Sequence, residues 1–73
     1  MYDLDWNLLK SFLAVVETGS LTAAARQLDA SQPTLGRHVA ELEAKMGTTL
    51  LRRTPRGQEA TEAGAAVLAD IRA

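Results

Sequence analysis

The sequence contains no cysteine and only one histidine, His38. The absence of cysteine excludes disulfides and thiolate metal sites, and a single histidine cannot build a zinc site unaided. Valine and isoleucine together number five, against eleven leucines and thirteen alanines. Because the β-branched residues that favour strands are scarce, the composition indicates a mainly helical protein.

Long apolar runs are also lacking. None approaches the ~20 residues of a membrane-spanning helix, and the start MYDLDWN has neither the basic region nor the apolar stretch of a signal peptide. We therefore expect a cytoplasmic protein without a membrane partner, and no cofactor for these 73 residues. A chain of this length forms one small domain, which buries only about 60% of its unfolded surface.

A general excess of positive charge is missing as well. The net charge of -1 argues against a generic polyanion binder, which would be strongly basic. The charge is, however, unevenly distributed. Residues 31 to 57 hold five basic and two acidic side chains, a balance of +3, whereas the remainder holds three basic and seven acidic ones, a balance of -4. The positive charge is thus concentrated in one stretch, which makes the net charge a poor guide to partners.

Residues 20 to 47 are predicted to form two short helices joined by a tight turn. Behind the N-cap residue Ser20, apolar residues recur at spacings of three, four and seven, at Leu21, Ala24, Ala25 and Leu28. Ser31 is a good N-cap for the second helix, and Gly47 provides a left-handed stop. The inward stripe of that helix is predicted at Leu35, Val39, Leu42 and Met46. Only Asp29 and Ala30 lie between the helices, so they must cross steeply, as in a helix-turn-helix.

The free face of the second helix carries small residues, an amide and a guanidinium, at Gln32, Pro33, Thr34, Gly36, Arg37 and Ala40. These side chains let a helix enter a DNA major groove and reach base edges. Gln32 can pair with adenine and Arg37 with guanine, whereas the hydroxyls of Ser31 and Thr34 suit phosphate near a helix N-terminus. The alternative for Gln32 and Pro33 is a helix start with no reading role, because Pro is favoured in the first turn for backbone reasons alone.

Residues 48 to 60 interrupt the helical period and are predicted to form a β-hairpin, or wing, around a Pro-Arg-Gly turn. Leu50 and Leu51 are expected to anchor its base. Three arginines without a compensating acid project from it, at Arg52, Arg53 and Arg56. A charge run alone is as often a solvated face, but beside a recognition helix these arginines indicate a phosphate or minor-groove contact.

Two further helices are predicted at the flanks. Asp5 can cap a helix that ends at about Thr18, before Gly19, with an inward stripe at Leu9, Phe12, Leu13 and Val16. Apolar residues outside that stripe, at Leu8 and Val15, indicate that this helix packs against two partners. We interpret Trp6 as a partly buried anchor at the domain edge in preference to a partner contact, although the two roles are compatible. Thr61 is expected to cap a last helix with apolar residues at Ala63, Ala66, Val67, Leu68 and Ile71.

This arrangement resembles the amino-terminal DNA-binding domain of the LysR-type transcriptional regulators from about Leu9 to Gly64. The motifs that carry the resemblance are Ala24-Ala25, Leu28, Ser31-Gln32-Pro33, Leu35, Arg37, Leu42-Glu43, Gly47, Leu50, Arg53-Thr54, Arg56-Gly57 and Thr61-Glu62-Ala63-Gly64. Four positions depart from the family's pattern. Gly36 stands where Ser is usual, Leu51 where Phe is usual, and Glu59 and Ala60 where a basic and a larger apolar residue are common.

The resemblance implies a mainly α winged helix-turn-helix at residues 1 to 60, made of a three-helix bundle plus a short β-hairpin wing. Residues 61 to 73 would begin a linker helix that pairs two subunits in a homodimer and leads to an effector-binding domain not included here. The implied function is sequence-specific binding of a double-stranded DNA operator, with a recognition helix at about 31 to 46 in the major groove and the wing on phosphate or minor groove. The expected contact residues are Ser31, Gln32, Pro33, Thr34, Gly36, Arg37, His38, Arg52, Arg53 and Arg56.

Two other functions are open to such a chain. A winged helix can be a protein-protein interaction module, and the fold alone does not decide between DNA binding and protein binding. The basic wing and the acid-free first two turns of the recognition helix favour DNA. An enzyme is disfavoured, because the sequence offers no cysteine nucleophile, no phosphate-cradling glycine loop and no acid at an evident triad spacing from His38. Next to Arg37, His38 is expected to contact phosphate or solvent.

Overall fold

The structure, a computed structural model, describes residues 5 to 72, so that predictions reaching into residues 1 to 4 and 73 lie outside the described residues. Its elements in chain order are α1 (Trp6–Thr18), α2 (Leu21–Gln27), α3 (Gln32–Met46), β1 (Leu51–Thr54), β2 (Gly57–Ala60) and α4 (Glu62–Arg72). The two strands form one antiparallel hairpin. The predicted mainly α winged helix-turn-helix is confirmed.

Local side-chain and glycine signals determine where the first three helices begin and end. Asp5, Ser20 and Ser31 each accept a hydrogen bond from a backbone N–H two or three residues further on, at 2.8 to 3.2 Å. These bonds satisfy N–H groups that have no partner within the helix. Gly19 and Gly47 end α1 and α3 with φ of 76° and 72°, a conformation that glycine adopts at little cost. All five predicted end signals are confirmed.

α1 lies between two apolar clusters, as its two apolar sides predicted. The first cluster joins α1 to α3, to the segment before β1 and to α4, through Leu8, Leu9, Phe12, Leu42, Leu50, Val67 and Leu68. The second joins α1 to α2 and to the first half of α3, through Ala14, Val15, Ala24, Ala25, Leu35 and Val39. The alanines of the second cluster are small, so α1 and α2 can approach each other closely. α3 contributes residues to both clusters.

Trp6 does not act as a partly buried anchor. Its residue surface is 56% exposed, because it occupies the first turn of α1 and the buried residues of that helix begin at Leu8. The anchor interpretation was therefore wrong, whereas a partner contact by Trp6 stays a prediction.

α4 belongs to the same core as the helix-turn-helix. The hydroxyl of Thr61 accepts a hydrogen bond from the N–H of Gly64 at 3.0 Å, which confirms the predicted cap. Gly64 lies so close to Leu50 that a Cβ at this position would overlap the Leu50 carbonyl oxygen. Val67 and Leu68 are buried in the first cluster. Ala63 and Ile71 pack half-buried against the same cluster. These apolar residues of α4 are thus used inside the chain, which leaves less apolar surface for the expected pairing of subunits.

Residues 5 to 72 include no helix with the length and apolar content needed to cross a membrane. Within the same range, no three or more Asp, Glu or His side chains form a group that could hold a metal ion.

Candidate nucleic-acid interface

The turn between α2 and α3 leaves one face of α3 free. Asp29 occupies this turn with φ of 55°, a left-handed conformation that Asp tolerates better than most residues. On the inward side of α3, Leu35, Val39 and Leu42 are buried, and Met46 packs half-buried against the first cluster. The predicted stripe is confirmed, and the opposite side of the helix remains accessible.

The first two turns of α3 present most of the predicted contact residues to solvent. Ser31, Gln32, Pro33 and Arg37 are exposed, whereas Thr34 and Gly36 are half-buried. The first acidic residue in α3 is Glu41, so no negative side chain of this helix lies among them. Their accessibility and the absence of acid suit contact with a polyanion.

Ser31 and Thr34 are hydrogen-bonded to each other. The Ser31 hydroxyl donates to Thr34 Oγ1 at 2.8 Å and accepts from the Thr34 N–H at 3.2 Å. The two hydroxyls therefore form one fixed polar group at the N-terminus of α3. An approaching acceptor would meet this pair rather than two independent hydroxyls.

Gln32 has a partner that the sequence did not indicate. Its Oε1 accepts a hydrogen bond from the hydroxyl of Thr22 in α2 at 3.1 Å. The two residues are ten positions apart, and no motif links them. Only the packing of α2 against α3 brings them together, so Thr22 is absent from the residues expected at the interface.

His38 differs from Arg37 in its surroundings. The ring is half-buried, and its Nδ1 lies 2.8 Å from the hydroxyl oxygen of Ser11, a residue of α1 that is only 2% exposed. Nδ1 is thus hydrogen-bonded to α1, and Nε2 is the ring nitrogen left for an outside partner. A DNA contact by His38 stays a prediction.

The wing has the predicted hairpin geometry. Leu51 pairs with Ala60 and Thr54 with Gly57 across the two strands. The Thr54 side chain closes the turn, since its hydroxyl donates to the Gly57 carbonyl oxygen and accepts from the Arg56 N–H, both at 3.1 Å. At the base of the wing, the buried Leu50 and the half-buried Leu51 confirm the expected anchor.

The wing is also bonded to the helices. The carboxylate of Glu43 on α3 accepts hydrogen bonds from the N–H groups of Leu50 and Leu51. The Gln58 N–H donates to the carbonyl oxygen of Gly19 at 2.9 Å. These bonds hold the hairpin beside α3 and against the turn after α1.

The three wing arginines are all exposed, but they do not form one patch. Arg52 and Arg53 are consecutive in β1 and therefore point to opposite faces of the hairpin. Arg56 lies at the turn, with its Nε 3.7 Å from a carboxylate oxygen of Glu59. The expectation of a wing without a compensating acid was wrong, because antiparallel pairing returns Glu59 to a position opposite Arg52.

One cleft brings the wing and the start of α3 together. This wing cleft, of about 280 Å³, is lined among others by Ser20, Thr22, Gln32, Arg53, Pro55 and Gln58. Of the predicted contact residues, the wing cleft thus unites Gln32 and Arg53. Gly36 lines a neighbouring cleft of about 200 Å³ between α3 and Leu51. A Cβ added at Gly36 would meet no heavy atom within 4 Å.

Comparison with known proteins agrees with this arrangement. Residues 6–65 match the model of the family described as bacterial regulatory helix-turn-helix protein, lysR family. The HTH-type transcriptional regulator TcbR of Pseudomonas sp. (strain P51) is 46% identical over 69 residues, which are 94% of this chain and 24% of TcbR. The chain therefore spans about a quarter of the length of this relative. TcbR is named as a regulator, in keeping with the interpretation that the chain is not an enzyme.

Solved structures show the same fold. CbnR, a LysR family transcriptional regulator, is 46% identical and superposes with a TM-score of 0.89, covering 94% of this chain and 24% of CbnR. In the crystal structure of a CbnR_DBD-DNA complex the TM-score is 0.87 at the same identity, with 94% of this chain and 79% of that one covered. Both the family match across the helix-turn-helix and wing and the likeness to these regulators lead to one assignment: the chain belongs to the lysR family of bacterial regulatory helix-turn-helix proteins.

Proposed function

We propose that this chain binds double-stranded DNA sequence-specifically, with α3 in the major groove and the wing on phosphate or the minor groove. The observation that carries the proposal is the wing cleft, where Gln32 at the start of α3 and Arg53 of the wing line one exposed surface. In a DNA duplex the base edges and the phosphates lie next to each other, so a helix N-terminus with an arginine beside it can contact both. The DNA-bound CbnR domain, with the same fold, supports the proposal.

The side chains of the interface would have separate roles. Gln32 and Arg37 can form two-pronged pairs with adenine and guanine and would read bases. The linked hydroxyls of Ser31 and Thr34 lie at the N-terminus of α3 and would bind a phosphate. Arg52, Arg53 and Arg56 would neutralise phosphates and thereby position the protein on the duplex. Pro33 and Gly36 carry no polar side chain and would allow close approach, and the proposal involves no cofactor.

The proposal includes a homodimer that places two copies of α3 on one operator. Because Val67 and Leu68 are buried in the chain's own core, pairing through α4 would use its exposed side, where the small residues Ala65, Ala66 and Ala69 lie. Small residues allow two helices to approach closely. As a regulator of bacterial genes, the protein would act in the cytoplasm.

Analytical ultracentrifugation at increasing concentration tests the dimer. We expect reversible association that Ala66→Glu weakens and that Ala44→Glu, on the exposed side of α3, leaves intact. A chain that stays monomeric in solution and binds DNA only as single copies would contradict pairing through α4.

Selection of bound sequences from a random pool of duplexes tests the function itself. We expect enrichment of a short motif, repeated with two-fold symmetry because a symmetric dimer reads two half-sites. A pool that shows no enriched motif after repeated rounds would contradict sequence-specific binding and favour the protein-interaction alternative.

A further inference from the structure

We propose that Thr22 is a positioning residue that determines which base Gln32 reads. This inference rests on the proposed function, in which Gln32 contacts a base. The hydroxyl of Thr22, the second residue of α2, donates to Oε1 of Gln32, the first residue of α3, at 3.1 Å. Both side chains are exposed and both line the wing cleft. The bond thus connects the two helices at the surface that would face DNA.

The chemistry of the amide explains why this bond affects specificity. A glutamine side chain has an acceptor, Oε1, with two lone pairs, and a donor, Nε2, with two hydrogens. Its last torsion is broad and nearly two-fold, so an unrestrained amide can present either atom to a base. The Thr22 hydroxyl uses one lone pair of Oε1 and holds that oxygen toward α2. Nε2 is then free to donate, and one acceptor site remains.

An amide held in this way favours some bases over others. Its free donor can pair with N7 of a purine or O4 of thymine, and the remaining lone pair can complete the two-pronged pair with adenine. Cytosine presents only a donor in the major groove, so pairing with it would leave the free Nε2 donor of the amide without an acceptor, and cytosine is disfavoured. Holding the side chain in advance also lowers the ordering cost of binding. Thr22 therefore increases discrimination at one base pair.

Two substitutions at Thr22 distinguish a role in base preference from a role in overall affinity for DNA. Thr22→Val removes the hydroxyl and keeps the shape, whereas Thr22→Ser keeps the hydroxyl. Because Thr22 is exposed, both variants should fold, and thermal melting verifies this. Each is bound to the selected operator and to operators in which single base pairs are replaced by the other three. The pair that Gln32 reads is the one whose preference disappears in Gln32→Ala.

We expect Thr22→Val to lose roughly three- to tenfold of the preference at that base pair, the equivalent of one hydrogen bond, with an unchanged salt dependence. Thr22→Ser should retain the preference. If Thr22→Val also retains the base preference, the positioning role is overturned while base reading by Gln32 stands. The same holds if Thr22→Val weakens binding to all sequences alike and makes the salt dependence of binding shallower. If Gln32→Ala itself alters no base preference, both the reading role and the inference are overturned.

Discussion

The carboxylate of Glu43 accepts a hydrogen bond of 2.7 Å from the backbone N–H of Leu50, and the same oxygen accepts one of 3.2 Å from Leu51. Leu50 is fully buried, and Leu51 is the first residue of β1. One side chain of α3 therefore satisfies two backbone donors at the base of the wing. This contact fixes where the wing lies relative to the helix proposed to read DNA.

Glu43→Ala should accordingly destabilise the domain. The substitution leaves two N–H groups without their charged acceptor, and such hydrogen bonds contribute about 1.5 to 3 kcal/mol. The matched control is Glu41→Ala, an exposed residue two positions away on α3, which should change stability by less than about 0.5 kcal/mol. Urea denaturation of both variants measures the difference. Equal stabilities would show that the Glu43 contact does not hold the wing.

The same substitution at two helical glycines should have opposite effects. Gly36→Ala should raise the melting temperature by several degrees, because a Cβ there meets no atom within 4 Å and Ala is favoured over Gly in a helix by about 1 kcal/mol. Gly64→Ala should lower it, because its Cβ would overlap the Leu50 carbonyl oxygen, and such overpacking costs about 1 to 3 kcal/mol. Calorimetry of the two variants is the measurement. A fall at Gly36 would mean that α3 requires the glycine.

Arg56 and Glu59 should act on DNA binding in opposite directions. Arg56→Ala should weaken binding to all sequences alike and reduce the slope of log affinity against log salt by about one counterion. Glu59→Gln should strengthen binding to all sequences, because it removes the carboxylate that lies 3.7 Å from Arg56. In the double variant, the effect of Glu59→Gln should shrink. Unchanged affinity and slope in Arg56→Ala would make this arginine an ordinary solvated residue.

Helix ends and the hairpin turn were predictable because their signals are local. A capping Ser20 or Ser31 and a left-handed Gly19 or Gly47 act on backbone groups within a few residues, so the sequence contains the full physical cause. The acid-free start of α3 is equally a local property. These features allowed the fold and most of the proposed DNA-contacting surface to be predicted before the structure was known.

Contacts between distant residues could not be predicted in the same way. The bond from Ser11 to His38 spans 27 positions and that from Thr22 to Gln32 spans ten, and each depends on how two helices pack. The position of Glu59 opposite Arg52 depends on strand register.

The apolar residues of α4 were ambiguous for a different reason. An apolar stripe predicts burial, but it does not state whether the covering surface belongs to the same chain or to a second copy. Val67 and Leu68 are covered by the chain's own first cluster. The proposed pairing surface therefore had to be sought on the other side of the helix.

The central claim, that α3 reads bases through Gln32 and Arg37, is tested most directly by the affinities of Gln32→Ala and Arg37→Ala for the selected operator and for a scrambled duplex of the same composition. Each two-pronged base contact contributes about 1 to 3 kcal/mol of discrimination. We predict that each variant loses roughly five- to 150-fold more affinity for the operator than for the scrambled duplex, since 1.4 kcal/mol corresponds to about tenfold. An equal loss on both duplexes would contradict base reading and assign the two residues to the DNA backbone.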